Sequence, residues 1–254
     1  MTGAIPSGGE SLEKIPGLHS WISLLPDKVR DEVLRNMHPK TFRDGQRIYA
    51  VGETGRDSYL LVRGQVRVTN HAFEGKELLV MVLQPGDCFG DHSMVDRLPR
   101  LSTTTAIGDV ELLVLHRPDF ERLYAEHGDI ARSLVRVICY RYRLVYSTAL
   151  DAALLSLQQR VARQLVRLAY SFGKADANGA TLVEGVSHEE LAQIVGATRQ
   201  TVSKALKDLQ GTGALTLSYR RITIPDLERF AKDHGTLIDS GLAVPSYGNG
   251  GYAG

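Results

Sequence analysis

The stretch SHEELAQIVGATRQTVSKALKDL, Ser187 to Leu209, leaves its part of the chain few ways to fold. With His188 as the first of twenty positions, Ala192 falls at position five, Gly196 at nine and Val202 at fifteen. A small residue at the fifth place lets two helices approach closely. Glycine at the ninth admits the left-handed backbone of a tight turn, and Val202 then faces the first helix. Leu191, Ile194, Val195, Leu206 and Leu209 supply the remainder of a small core. Ser187 with Glu190 reads as a capping box for the first helix, and Thr198 as the N-cap of the second. Two short helices around Gly196 are predicted.

The second helix carries charge on its outer face: Arg199, Gln200, Ser203, Lys204 and Lys207, with no acid before Asp208. Net charge over the 254 residues is only +1, so the placement of charge matters rather than its amount. A helix that enters a major groove needs long donors at its start, for guanine O6/N7 or adenine N6/N7. Arg199 and Gln200 meet that need, and Lys204 reaches a base or a phosphate one turn on. Thr201 and Ser203 suit backbone phosphates. Arg220 and Arg221 lie in the following β-turn, where a wing touches the backbone. The plainer alternative is a helical hairpin with a solvated basic face.

From Thr41 to Leu115 the period changes. RIYAVG, YLLVRG, QVRVTN, ELLVMVLQPG and VELLVLHRP are short aliphatic runs broken by Gly, Pro, Asn and Asp. Such spacing predicts an antiparallel barrel or sandwich. Helical patterns flank it, near residues 18–38 with a break at Pro26, and from Pro118 to about Ser171. Within the long run after Gly128, Leu134, Ile138, Val145, Thr148, Ala152 and Leu155 sit at steps of three, four or seven, a coiled-coil seam. The alternative is a helix that packs only on its own barrel. The expected order is a disordered leader (1–17), a β-roll domain (18–127), a pairing helix and hinge (128–156), a winged helix-turn-helix domain (157–235) and a flexible tail (236–254). The fold class is α+β.

PGDCFGDHSMVDRLPRLSTTTA, Pro85 to Ala106, holds Gly90 and Asp91 after a strand, then Arg100 nine residues beyond Asp91. Backbone N–H groups at a short helix start, with one arginine, make a buried anion site, and the Asp91 carboxylate can accept from a ribose hydroxyl. Cys88 and Cys139 belong to no metal-binding cluster, and no metal is expected. No GxSxG, HExxH, P-loop or paired-carboxylate pattern occurs, so an enzyme is not expected. No run spans a bilayer and no apolar stretch opens the chain, so a cytoplasmic protein without a membrane partner is expected.

Taken in order, these parts resemble the bacterial cyclic AMP receptor protein / fumarate-nitrate reduction regulator (Crp/Fnr) family. The resemblance runs from about residue 18 to 224. It rests on GQRIYAVGETGRDSYLLVRGQVRVT, the GD…PR…ST cassette, the long helix, and VSHEELAQIVGATRQTVSKALKDLQGTGAL. It implies a cyclic-nucleotide-binding β-roll, a dimerising helix and a DNA-binding domain. It also implies a homodimer on a palindromic double-stranded site that contacts RNA polymerase. Arg199, Gln200 and Lys204 match base-reading positions; the family often has Glu and Arg where this chain has Gln200 and Lys204.

In the pocket, Gly90 and Arg100 match phosphate-binding positions, and Arg141 matches a basic position near the phosphate. Asp91 stands in place of Glu, and His92 in place of an aliphatic residue. Leu101 follows the arginine where a small residue or Ser is usual, with Ser102 one place later. Val145 and Tyr146 replace hydroxyl-bearing Thr and Ser. Cyclic AMP, another cyclic nucleotide or dinucleotide, and no ligand at all remain open. A cysteine cluster for iron–sulfur sensing is absent and no haem ligand stands out. Two further readings are an effector-independent member of the family and a cyclic-nucleotide-binding interaction module that does not touch DNA.

Overall fold

A computed structural model describes residues 19–71 and 77–234. The expected leader (1–17) and the expected tail (236–254) lie outside the described residues. A short 3₁₀ turn, Ile22–Leu24, precedes α1, Asp27–Arg35, which starts directly after Pro26. Proline suits that entry because the first helical N–H groups have no intrahelical acceptor.

The strands β1 (His38–Phe42), β2 (Arg47–Tyr49), β3 (Asp57–His71), β4 (Glu77–Leu83) and β5 (Cys88–Phe89) follow. Then come α2 (His92–Asp96), β6 (Thr103–His116), α3 (Arg117–Glu126) and α4 (Gly128–Leu154). The sheet runs β1-β6-β3-β4, with β2 added on β6 and β5 on β3. All pairings are antiparallel, and β3 meets β6 with Tyr59 opposite Val114 and Val66 opposite Ala106. Alternation along β6 puts Ala106, Val110, Leu112 and Val114 inside, where they meet Tyr49, Tyr59, Leu61, Val66 and Phe89. A second cluster joins Trp21, Val33, Met94, Leu115, Phe120 and Leu123 to Ile130, Leu134 and Val137 of α4.

The chain divides into two compact units between Tyr142 and Arg143, inside α4. In the second unit α4 ends and α5 (Leu157–Phe172) begins at a capping box in which Ser156 and Gln159 exchange bonds. Across that break Asp151, buried, accepts from Arg163 and from Arg167 (2.7 Å). The remaining elements are β7 (Lys174–Ala175), β8 (Thr181–Glu184), α6 (His188–Val195), α7 (Arg199–Gly211), β9 (Thr216–Ser218), β10 (Arg221–Ile224) and α8 (Leu227–His234). Leu165, Leu191, Val202, Leu206, Leu215, Ile224 and Phe230 fill one core beneath the small sheet β7-β8-β10-β9. Among the described residues no helix is long and apolar enough to cross a membrane.

Candidate nucleic-acid interface and ligand pocket

α6 starts at the Ser187–Glu190 box: Ser187 Oγ accepts from Glu190 N (3.1 Å), and Glu190 Oε2 accepts from Ser187 N (2.8 Å). It stops at Gly196, with φ 66° and ψ 47°, a backbone that a β-carbon makes costly. Leu191, Ala192, Val202, Leu206 and Leu209 turn inward and pin α7 against α6. That packing dictates what faces out. Arg199, Gln200, Ser203, Lys204 and Lys207 line one concave patch on α7.

Short hydroxyls on α7 have internal partners. Thr198 Oγ1 accepts from Thr201 N (3.3 Å), and Thr201 Oγ1 donates to Thr198 O (2.8 Å). Ser203 Oγ lies 2.9 Å from His188 Nδ1. Burial, then the charges of Arg199 and Lys207, lower the pKa of His188 from the ordinary histidine range. In the β9–β10 turn, Arg220 adopts φ 51° and donates to Gly185 O (3.1 Å), while Arg221 pairs with Glu184 (2.7 Å). Both wing arginines are half exposed.

The β-roll cassette is buried, and its polar side chains already have protein partners. Arg100 is buried, and its guanidinium donates to Gly90 O (2.6 Å) and Asp57 O (2.6 Å). It also stacks over Tyr49, 4.3 Å from the ring centroid. Gly90 has φ 78°, and a β-carbon there would sit 2.7 Å from Arg100 Nη1. Tyr59 stacks on Phe89 at 5.0 Å, and burial raises the Tyr49 hydroxyl to about 12.

The Asp91 carboxylate, expected to accept from a ribose hydroxyl, already has a partner. Buried, it accepts two bonds from Arg141 (3.1 and 3.0 Å), and Arg141 also donates to Cys88 O (3.0 Å) and His19 O (3.3 Å). His92 Nδ1 is 3.7 Å from Asp91 Oδ1, Ser102 is half-buried and Leu101 exposed. Tyr146 lies on an exposed turn of α4 in the second unit. Sequence reasoning missed Tyr49, Asp57 and Tyr59; no local signal ties them to Arg100, since Asp57 is 43 residues away.

The expected seam on α4 needs two corrections. Leu134 is buried in the first unit's core beside Trp21 and Phe120 and so faces inward, and Arg141 is paired with Asp91. The exposed apolar stripe lies one residue on at its start: Val135 (58% exposed), Ile138 (37%), Tyr142 (67%) and Val145 (68%), followed by exposed Ala149 and Ala152. These follow steps of three and four, the heptad spacing. Thr148 is exposed but donates to Leu144 O (2.9 Å), and Leu155 follows the last turn of α4.

Glu32, Glu126 and His127 bring possible metal-ligand atoms within 4.8 Å of one another. Arg122 already supplies positive charge there, 3.1 Å from Glu126 Oε2.

The family model for the cyclic nucleotide-binding domain matches residues 39–127, and that for the Crp-like helix-turn-helix domain matches residues 159–232. The chain is 33% identical over 198 residues to the CRP-like cAMP-activated global transcriptional regulator of Mycobacterium tuberculosis, covering 78% of this chain and 88% of the other. It is 31% identical over 194 residues to the cyclic AMP receptor protein of Thermus thermophilus, covering 76% and 86%. A solved CRP-family transcriptional regulator of the same organism superposes with TM-score 0.58 at 30% identity, over 78% of this chain and 98% of that one. These relatives are transcriptional regulators rather than enzymes.

Proposed function

The chain belongs to the Crp/Fnr family of transcription regulators, and from that premise we propose that it is a homodimer that reads a palindromic DNA operator. The observation that carries the reading is the single exposed face of α7, where Arg199, Gln200, Lys204 and Lys207 project from a helix pinned by its opposite side. Two copies pairing through Val135, Ile138, Tyr142, Val145, Ala149 and Ala152 would present two such faces. Successive major grooves lie about 34 Å apart, and a dimer with a two-fold axis would match a two-fold symmetric site with that half-site separation. Such a regulator works in the cytoplasm, and contact with RNA polymerase follows from the family resemblance.

We assign the β-roll as the input domain, with a cyclic nucleotide as the effector and Arg100 as the phosphate ligand. The guanidinium would exchange the carbonyls of Gly90 and Asp57 for phosphate oxygens. Movement of the α4 pair, with the hinge at Leu150 to Ser156, would then set the spacing of the recognition helices. An effector-independent regulator is the second reading, favoured by the carbonyl bonds and the Tyr49 ring that already satisfy Arg100.

Operator selection from a random duplex pool, followed by gel shift with and without a panel of cyclic mono- and dinucleotides, tests both. A palindrome with a steep salt slope supports the regulator, and nucleotide-dependent affinity supports the first reading. Absence of DNA binding at low salt defeats both and favours an interaction module.

A further inference from the structure

Arg199, Ser203 and Lys207 follow at intervals of four residues, so they form one column on α7, about 12 Å from end to end at 1.5 Å per residue. His188, the first residue of α6, reaches the middle of that column and holds Ser203 Oγ at 2.9 Å. We propose that His188 is a proton-linked contact to the nucleic-acid backbone, taking up a proton when a phosphate docks between Arg199 and Lys207. The inference rests on the DNA-binding reading and adds to it a residue and a pH dependence.

The chemistry is specific to this arrangement. Ser203 donates to Nδ1 when the ring is neutral and accepts from Nδ1–H when it is charged, so the bond survives both states and keeps Nε2 available. In the free protein, burial together with Arg199 and Lys207 disfavours the imidazolium. A phosphate over the column offsets that repulsion, and so raises the histidine's affinity for a proton when nucleic acid is bound. Other charged groups nearby do not replace it. Glu190 is turned back on Ser187 and lies 3.9 Å from Arg220, and Glu189, also on α6, is exposed.

The sign follows directly. A histidine whose pKa is lower free than bound makes binding tighter as pH falls through the bound value, with the gain complete below the free value. A random-sequence duplex is the right probe, because backbone contacts do not depend on sequence. Affinity would be measured by fluorescence anisotropy at constant ionic strength, near pH 8 and near pH 6, for the full chain, His188→Gln and His188→Arg. Wild type should tighten on acidification by about three- to tenfold more than His188→Gln. His188→Arg should lose that extra slope and bind near pH 8 more tightly than wild type does there. Calorimetry in two buffers of different ionisation enthalpy should show proton uptake for wild type and not for either variant. Equal pH slopes in all three proteins overturn the proposal. Folded variants that both bind poorly at every pH also overturn it, since His188 would then serve only to hold α7. A wild type that binds no duplex at low salt at any pH removes the DNA-binding reading, and this inference with it.

Discussion

Arg141 and Asp91 form a buried ion pair across fifty residues of chain, with Nη1 of one 3.1 and 3.0 Å from the two carboxylate oxygens of the other. It joins the start of α2 to α4 within the first unit. Removing one partner strands a charge out of water, so Arg141→Ala should destabilise that unit by about 3–5 kcal/mol. Trp21, the chain's one tryptophan, is fully buried in the same core, and its fluorescence in urea reports the loss. The double variant Asp91→Leu/Arg141→Met should recover most of it.

The same region predicts an acid weakness. Burial, then the adjacent Arg141 charge, lowers the His19 pKa to about 4 from 6.5. The native state therefore favours the neutral ring, and stability is complete above pH 6.5 and lost as pH falls toward 4. The loss from this group should reach about 2–3 kcal/mol. Trp21-monitored unfolding of His19→Gln should fall less steeply than wild type across that window, and identical profiles would contradict the assignment.

Pairing through α4 makes its own prediction. Val145→Glu or Ile138→Glu would set like charges face to face at the seam, and sedimentation should then show a monomer. Leu134→Ala should instead leave the assembly dimeric and cost about 2–5 kcal/mol of monomer stability, because Leu134 fills the core beneath Trp21.

Arg199 and Lys207 should separate by kind of contact. Arg199→Ala should lose discrimination at one base pair of the selected operator, about 1–3 kcal/mol, with a smaller effect on random DNA. Lys207→Ala should weaken specific and random duplexes alike and lower the salt slope by about one. Equal loss on both duplexes for Arg199→Ala would make it a phosphate contact only.

The winged domain was legible because its signals are local. The Ser187–Glu190 box, Gly196 and Val202 act within a span of sixteen positions, and each performs the structural role its chemistry suggests. The β-roll class showed in glycine-punctuated aliphatic runs, but its pairings did not, since Tyr59 meets Val114 across more than fifty intervening positions. A separation of 43 residues likewise hid the engagement of Arg100 with Asp57. On α4, apolar residues at 134, 135, 137 and 138 offer two faces at once. Only the packing of Leu134 and Val137 against Trp21 leaves Val135 and Ile138 outside.

The internal bonding of Thr198, Thr201 and Ser203 has a consequence for recognition. With the stubby groups occupied, contact from α7 falls to four flexible arms: Arg199, Gln200, Lys204 and Lys207. Immobilising each such arm costs up to about 1.5–2 kcal/mol of rotamer freedom. Tight binding then demands a sequence that engages several arms together, while near-cognate sites are tolerated through re-posed side chains.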